Sequence, residues 1–154
     1  MATVKQKSVV TMKLAADAAS HAKTDIAVRD VQMTIDEPEI RGGTNTAPSP
    51  TETLFGALLG CTNVVSHRIA ENLGVEIADM EIAAEVQFDR RGVMLEEEIP
   101  VPFPEVDMTI DMKAKGTDAQ IEQLKTDLAR FCPVSVLMRA GGTKINETWN
   151  VTKV

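Results

Sequence analysis

Residues 48–62, PSPTETLFGALLGCT, begin the longest helical pattern in the chain. Ser49 followed by Pro50 predicts a helix start, because serine is a favoured N-cap residue and proline suits the first helical position. Glu52 falls in the first turn, where the helix dipole stabilises an anion. Apolar residues then recur at helical spacing: Leu54, Leu58, Cys61, Val65 and Ile69. This pattern predicts a central, buried helix that ends near Asn72 and carries Cys61 at its middle.

The second cysteine of the chain lies in residues 130–142, RFCPVSVLMRAGG. Pro133 would break a continuing helix, but it suits the first position of a new one that ends at Gly141 and Gly142. Cys132 is therefore the predicted N-cap, where unpaired N–H groups and the positive end of the dipole favour a thiolate. Cys61 differs, because burial in an apolar helix disfavours a thiolate unless an arginine compensates.

The rest of the chain alternates between strand and helix patterns. Strand-like stretches, with 15–23 as a loop after the first, cover residues 8–14, 24–35, 80–89, 106–116 and 144–154. Thr117 and Gln120 resemble a capping box before an apolar stripe of Ile121, Leu124, Leu128 and Phe131. Residues 36–50 gather Pro, Gly and Asn and predict an exposed loop. An α+β domain spanning residues 1–154 is expected.

Amino-acid composition and net charge argue against several classes of function. A net charge of −7, with Trp149 alone among Trp and Tyr, argues against nucleic-acid binding. No stretch reaches the roughly 20 apolar residues of a membrane span, and the amino terminus lacks a secretory pattern, so a cytoplasmic location without a membrane partner is expected. His21 and His67 are the only histidines, so no metal or other cofactor is expected. His67 follows Cys61 by six residues and points away from it on a helix.

The two cysteine motifs together resemble the OsmC/Ohr family, which comprises osmotically inducible protein C and the organic hydroperoxide resistance proteins. The motifs are PSPTETLFGALLGCT and FCPVS, with their cysteines 71 residues apart (132 − 61), and DEPEIRGG at residues 36–43 is similar to the OsmC-like branch. The resemblance covers about residues 24–154. It implies an α+β fold with antiparallel sheets around two central helices, assembled as an intertwined homodimer.

The resemblance also implies a thiol peroxidase that reduces organic hydroperoxides. Cys61 takes the position of the attacking cysteine and Cys132 that of the resolving cysteine, so the two thiols are expected within bridging reach. The cycle ends with a dithiol reductant, for which a lipoyl-type dithiol is one candidate. Leu58 and Met138 are expected to bind the alkyl group of the substrate.

Members of the family support the attacking thiolate with an Arg–Glu pair. Glu52, nine residues before Cys61, and Arg41 stand closest to those positions, and Arg29 on a predicted strand is the alternative arginine. Thr51 stands ten residues before Cys61, where well-defined hydroperoxidases carry the glutamate. Two other interpretations stay open: an OsmC-like binding or interaction protein with little peroxidase activity, and two inert core cysteines in an unrelated fold.

Overall fold

The computed structural model describes residues 8–154, which divide into two compact units, one ending at Leu54 and one of Phe55–Val154. The strands are β1 (Leu14–Asp17), β2 (Lys23–Val28), β3 (Val31–Asp36), β4 (Glu76–Val86), β5 (Glu105–Lys115) and β6 (Lys144–Lys153). The helices are α1 (Pro50–Leu73), α2 (Asp118–Phe131) and α3 (Pro133–Ala140). The elements confirm the α+β class, whereas the assignment of residues 1–154 to one domain stays a prediction.

The first unit contains an antiparallel sheet in the order β1-β2-β3. Its strand prediction was partly wrong, because residues 24–35 form two strands that pair from Val28↔Val31 outward rather than one strand. Arg29 and Asp30 make the turn, and Arg29 adopts a positive φ of 56°. No Gly, Pro or Asn marks this turn, so the hairpin signal that these residues provide is absent. β1 comprises the last residue of the predicted strand 8–14 and the first three residues of the predicted loop, and it pairs with β2 from Leu14↔Val28.

A buried carboxylate organises the loop after β3. Asp36 is fully buried, and it accepts hydrogen bonds from the backbone N–H and the hydroxyl of both Thr44 and Thr46. The Thr44 hydroxyl and the Thr46 N–H, in that order, hold the pKa of Asp36 far below its usual range. Residues 37–46 are thereby wrapped around one charge, and this loop carries Arg41.

The second unit contains a sheet in the order β4-β5-β6. β4 and β5 are antiparallel, but β5 and β6 are parallel, so the expectation of purely antiparallel sheets was wrong for this pair. The cause is the connection, since α2 and α3 carry the chain back to the starting end of β5 before β6 begins. β5 is the central strand, and its inward side chains are buried: Val106, Met108, Ile110, Met112 and Ala114.

The helices begin and end close to where the sequence predicted. Thr117 and Gln120 form the predicted capping box of α2, and Pro133 occupies the first position of α3. Val64 is 60% exposed in the single chain, so the prediction of a buried α1 holds for only one side of the helix. Phe131, predicted to continue the buried stripe of α2, is 59% exposed.

Candidate functional site

The structure brings the two thiols of the chain into contact. The Sγ of Cys132 lies 2.9 Å from the Sγ of Cys61 and donates a hydrogen bond to it. Both are free cysteines, one on the middle turns of α1 and the other between α2 and α3. The expectation that Cys61 and Cys132 lie within bridging reach is therefore confirmed.

The two thiols differ in burial, and burial changes the pKa of Cys132. Cys132 is fully buried, whereas Cys61 is partly exposed. Burial, followed by the hydrogen bond to Cys61, raises the pKa of Cys132 to about 11, while the N–H groups of Ser135 and Val134 act in the opposite direction. The prediction that Cys132 favours a thiolate was therefore wrong, because desolvation outweighs the helix amino terminus.

An open groove lies beside the thiol pair. Its volume is about 490 Å³, and it is lined by Val65, Arg68, Ile69, Asn72, Phe131 and Pro133. Val65 follows Cys61 by one helical turn, and Phe131 and Pro133 flank Cys132 in the chain. Leu58 and Met138, which were expected to bind the alkyl group, instead lie in a hydrophobic cluster that does not include the cysteines. Val65, Val134 and Trp149 pack against the cluster that contains Cys132, as Cys61 does.

The structure does not pair Glu52 with Arg41. Glu52 accepts a 2.7 Å hydrogen bond from the N–H of Ser49, and its own N–H contacts the Ser49 hydroxyl, so the two residues form a capping box at the start of α1. The Ser49 N–H is the main cause that holds the pKa of Glu52 below its usual range, and the charge of Arg41 contributes least. Arg41 forms its ion pair with Glu37. Arg29 lies exposed in a turn rather than on a strand.

A second Arg–Glu pair, absent from the sequence-based candidates, connects α3 to β6. Arg139 binds the carboxylate of Glu147 at 3.0 Å, and the other carboxylate oxygen accepts a hydrogen bond from the Trp149 ring N–H at 3.1 Å. The sequence did contain a signal. Glu147 stands in the alternating row with Ile145, Trp149 and Val151, and a carboxylate in an inward row of a strand needs a buried partner.

His67 does not form a hydrogen bond with a cysteine, because its ring nitrogen is bonded to the carbonyl of Asn63, 2.9 Å away. Within residues 8–154, no three His, Cys, Asp or Glu side chains cluster as metal ligands would. None of the helices in that range combines the length and apolarity needed to cross a membrane. The contact between the two thiols makes them the candidate reactive site.

Comparison with known proteins identifies the family of this chain. The family model described as OsmC-like protein matches residues 43–148, which include both cysteines and the whole of α1. The chain belongs to the OsmC-like protein family. This confirms the resemblance that the two cysteine motifs indicated. A comparison with curated protein sequences finds no match.

Solved structures support the same fold for this OsmC-like chain. An OsmC-like protein from Mycoplasma pneumoniae aligns with a TM-score of 0.77 at 12% identity, covering 93% of this chain and 98% of that one. A Legionella pneumophila protein named as an organic hydroperoxide resistance protein OsmC aligns at 0.62 and 16% identity, over 95% and 99%. An organic hydroperoxide resistance protein from Elizabethkingia anophelis aligns at 0.62 and 14% identity, over 97% and 100%. At these identities the likeness shows the fold alone.

Proposed function

We propose that this protein is a thiol-dependent peroxidase that reduces organic hydroperoxides to alcohols. The observation that carries the proposal is the 2.9 Å contact between the sulfur atoms of Cys61 and Cys132. Two free thiols in contact, one partly exposed and one buried, form the arrangement that a two-cysteine cycle requires. The names of related structures from L. pneumophila and E. anophelis add support at the level of the family.

In the first step Cys61 is the nucleophile. Burial raises the pKa of the Cys132 thiol to about 11, so Cys132 keeps its proton, and the partly exposed Cys61 is assigned as the attacking thiol. The Cys61 thiolate attacks the distal oxygen of the peroxide and the O–O bond breaks. The alkoxide takes a proton and leaves as an alcohol, while Cys61 is oxidised to a sulfenic acid.

In the second step Cys132 loses its proton and attacks the sulfenic sulfur of Cys61. The S–S bond forms, the S–O bond breaks, and hydroxide leaves as water after protonation. A dithiol reductant exchanges with the disulfide and restores both thiols, which suits a reducing compartment such as the cytoplasm.

The groove beside the thiols supports an organic rather than an inorganic peroxide. Val65, Ile69, Phe131 and Pro133 give it apolar walls against which an alkyl or aryl group can be buried. Hydrogen peroxide has no such group and gains nothing from these walls. Cumene hydroperoxide should therefore be reduced faster than hydrogen peroxide.

The test is peroxide consumption by the two cysteine variants. Cys61→Ser should consume no cumene hydroperoxide, because an alcohol replaces the nucleophile. Cys132→Ser should consume one equivalent and then stop, and mass spectrometry should find added oxygen on the Cys61 peptide. Equal loss of consumption in both variants, without oxidised Cys61 in either, would contradict the proposal.

One observation favours a second candidate, a binding or interaction protein with little peroxidase activity. The Arg–Glu pair that the family resemblance implies is absent, since Arg41 contacts Glu37 and Glu52 contacts Ser49. Wild-type turnover decides between the two functions. If the protein forms the Cys61–Cys132 disulfide with a general thiol oxidant but consumes no hydroperoxide, the binding function is supported.

We also propose a homodimer. Exposed apolar side chains on all three helices, including Val64, Val136 and Leu137, support a second copy as their cover. A twofold dimer is the commonest way to bury such a surface. Light scattering at micromolar concentration should give twice the mass of the chain, and a monomer would contradict this assembly.

A further inference from the structure

Four polar groups form a continuous connection from β6 to the helix that follows Cys132. Arg139, near the end of α3, donates to the Ser135 hydroxyl at 3.2 Å, to the carbonyl of Ile145 at 3.0 Å and to Glu147 at 3.0 Å. The side chains of Arg139 and Glu147 are 35% and 14% exposed. An ion pair shielded to this degree is screened far less by solvent and salt than a surface pair.

The same connection reaches the second thiol. Cys132 is the N-cap residue of α3, and its carbonyl accepts a 2.9 Å hydrogen bond from the N–H of Val136. The hydroxyl of Ser135, in the same turn, accepts a hydrogen bond from Arg139. At the other end, Glu147 also binds the ring N–H of Trp149, whose side chain packs against the cluster that contains both cysteines. The pair therefore fixes α3 against β6 at one end, while the first turn of α3 holds the backbone of Cys132 at the other.

We propose that Arg139 and Glu147 are positioning residues for the second step, holding the first turn of α3 so that the Cys132 sulfur faces Cys61. This inference rests on the proposed function. The pair touches neither sulfur nor the groove, so it acts through the orientation of α3. Its loss leaves the attack of Cys61 on peroxide intact and slows closure of the disulfide.

Closure is sensitive to orientation because the Cys132 sulfur must approach the Cys61 sulfur opposite the departing oxygen. A displacement of about 1 Å can slow such a reaction about 100-fold. While closure is delayed, the sulfenic acid stays open to a second peroxide and advances to sulfinic acid. The proportion of Cys61 that is over-oxidised thus reports on the position of Cys132, whereas general destabilisation has no reason to change it selectively.

The experiment compares wild type with Arg139→Gln and Glu147→Gln, using cumene hydroperoxide and acid quenching. Each variant should consume the first equivalent at the wild-type rate and close the disulfide about 10- to 100-fold more slowly. The proportion of sulfinic acid at Cys61 should rise in excess peroxide. Arg139→Lys, which keeps one charge-assisted bond, should fall between wild type and Arg139→Gln.

Arg130→Gln is the matched control, because the Arg130 side chain is 64% exposed and its partner Asp127, 3.5 Å away, lies on the same neighbouring helix. It should close the disulfide at the wild-type rate. Diamide, which oxidises a dithiol directly, provides a second arm that does not depend on peroxide chemistry. Wild-type closure rates in folded Arg139→Gln and Glu147→Gln under diamide would refute the positioning role. Slow closure under diamide in a protein that consumes no peroxide would support it while refuting the peroxidase proposal.

Discussion

Raising the pH should destabilise the reduced protein through Cys132. In the folded chain the pKa of this thiol is raised from an ordinary value of 9.0 to about 11, mainly by burial. Between these two values the folded state keeps a proton that the unfolded state has lost. The stability that Cys132 contributes is therefore fully present below about pH 9 and is lost as the pH rises towards about 11. Two pKa units correspond to about 2–3 kcal/mol of unfolding free energy.

Urea unfolding in the presence of a phosphine reductant measures this loss. Wild type and Cys132→Ser are compared at about pH 8 and at about pH 10.5, because serine keeps a hydrogen-bond donor but does not titrate in this range. Other groups, lysines above all, affect both proteins alike and cancel in the difference. The expected result is that wild type loses about 2 kcal/mol more than Cys132→Ser over the interval. Parallel losses in both proteins would refute the conclusion that burial controls this thiol.

Three further changes test the local structure. Asp36→Asn removes the charge that accepts four hydrogen bonds from Thr44 and Thr46. The thermal midpoint should therefore fall by several degrees in a calorimetric scan. Acid should no longer destabilise the variant through this group. Glu52→Gln should keep the capping box and leave the thermal midpoint nearly unchanged, so a large loss of hydroperoxide turnover in this variant would assign Glu52 a chemical role as well. Thr117→Ala should cost about 1 kcal/mol in urea unfolding, and an unchanged midpoint would contradict the observed cap.

The helices could be predicted from the sequence because their signals are local. Ser49, Pro50 and the Thr117–Gln120 box fix where two helices begin, and Pro133 fixes the start of the third. Each signal depends on residues within one turn of the boundary. These helix boundaries can therefore be predicted without knowledge of the tertiary structure.

The pairing of strands could not be predicted in the same way. The turn at Arg29 and Asp30 contains no Gly, Pro or Asn. The parallel pairing of β5 with β6 depends on where two intervening helices return the chain. The hydrogen bonds of Asp36 could not be predicted either, because its partners Thr44 and Thr46 come close to it only when the loop has folded back. The contact of the two thiols could be anticipated through family resemblance, because the motifs imply it across 71 residues.

The error over Cys132 has a structural cause beyond burial. Cys132 is the C-cap of α2 and the N-cap of α3 at once: its N–H donates to the carbonyl of Leu128, and its carbonyl accepts from the N–H of Val136. The negative end of one helix dipole therefore meets the positive end of the other at this residue, and the two fields oppose each other. Pro133 also removes one of the N–H groups that a helix amino terminus would offer.

The rule that a helix amino terminus favours a thiolate assumes a free terminus, and here the terminus is a junction. Because the backbone of Cys132 belongs to both helices, the position of its sulfur depends on the orientation of α3, and this is the basis for proposing that Arg139 and Glu147 affect the second step and not the first.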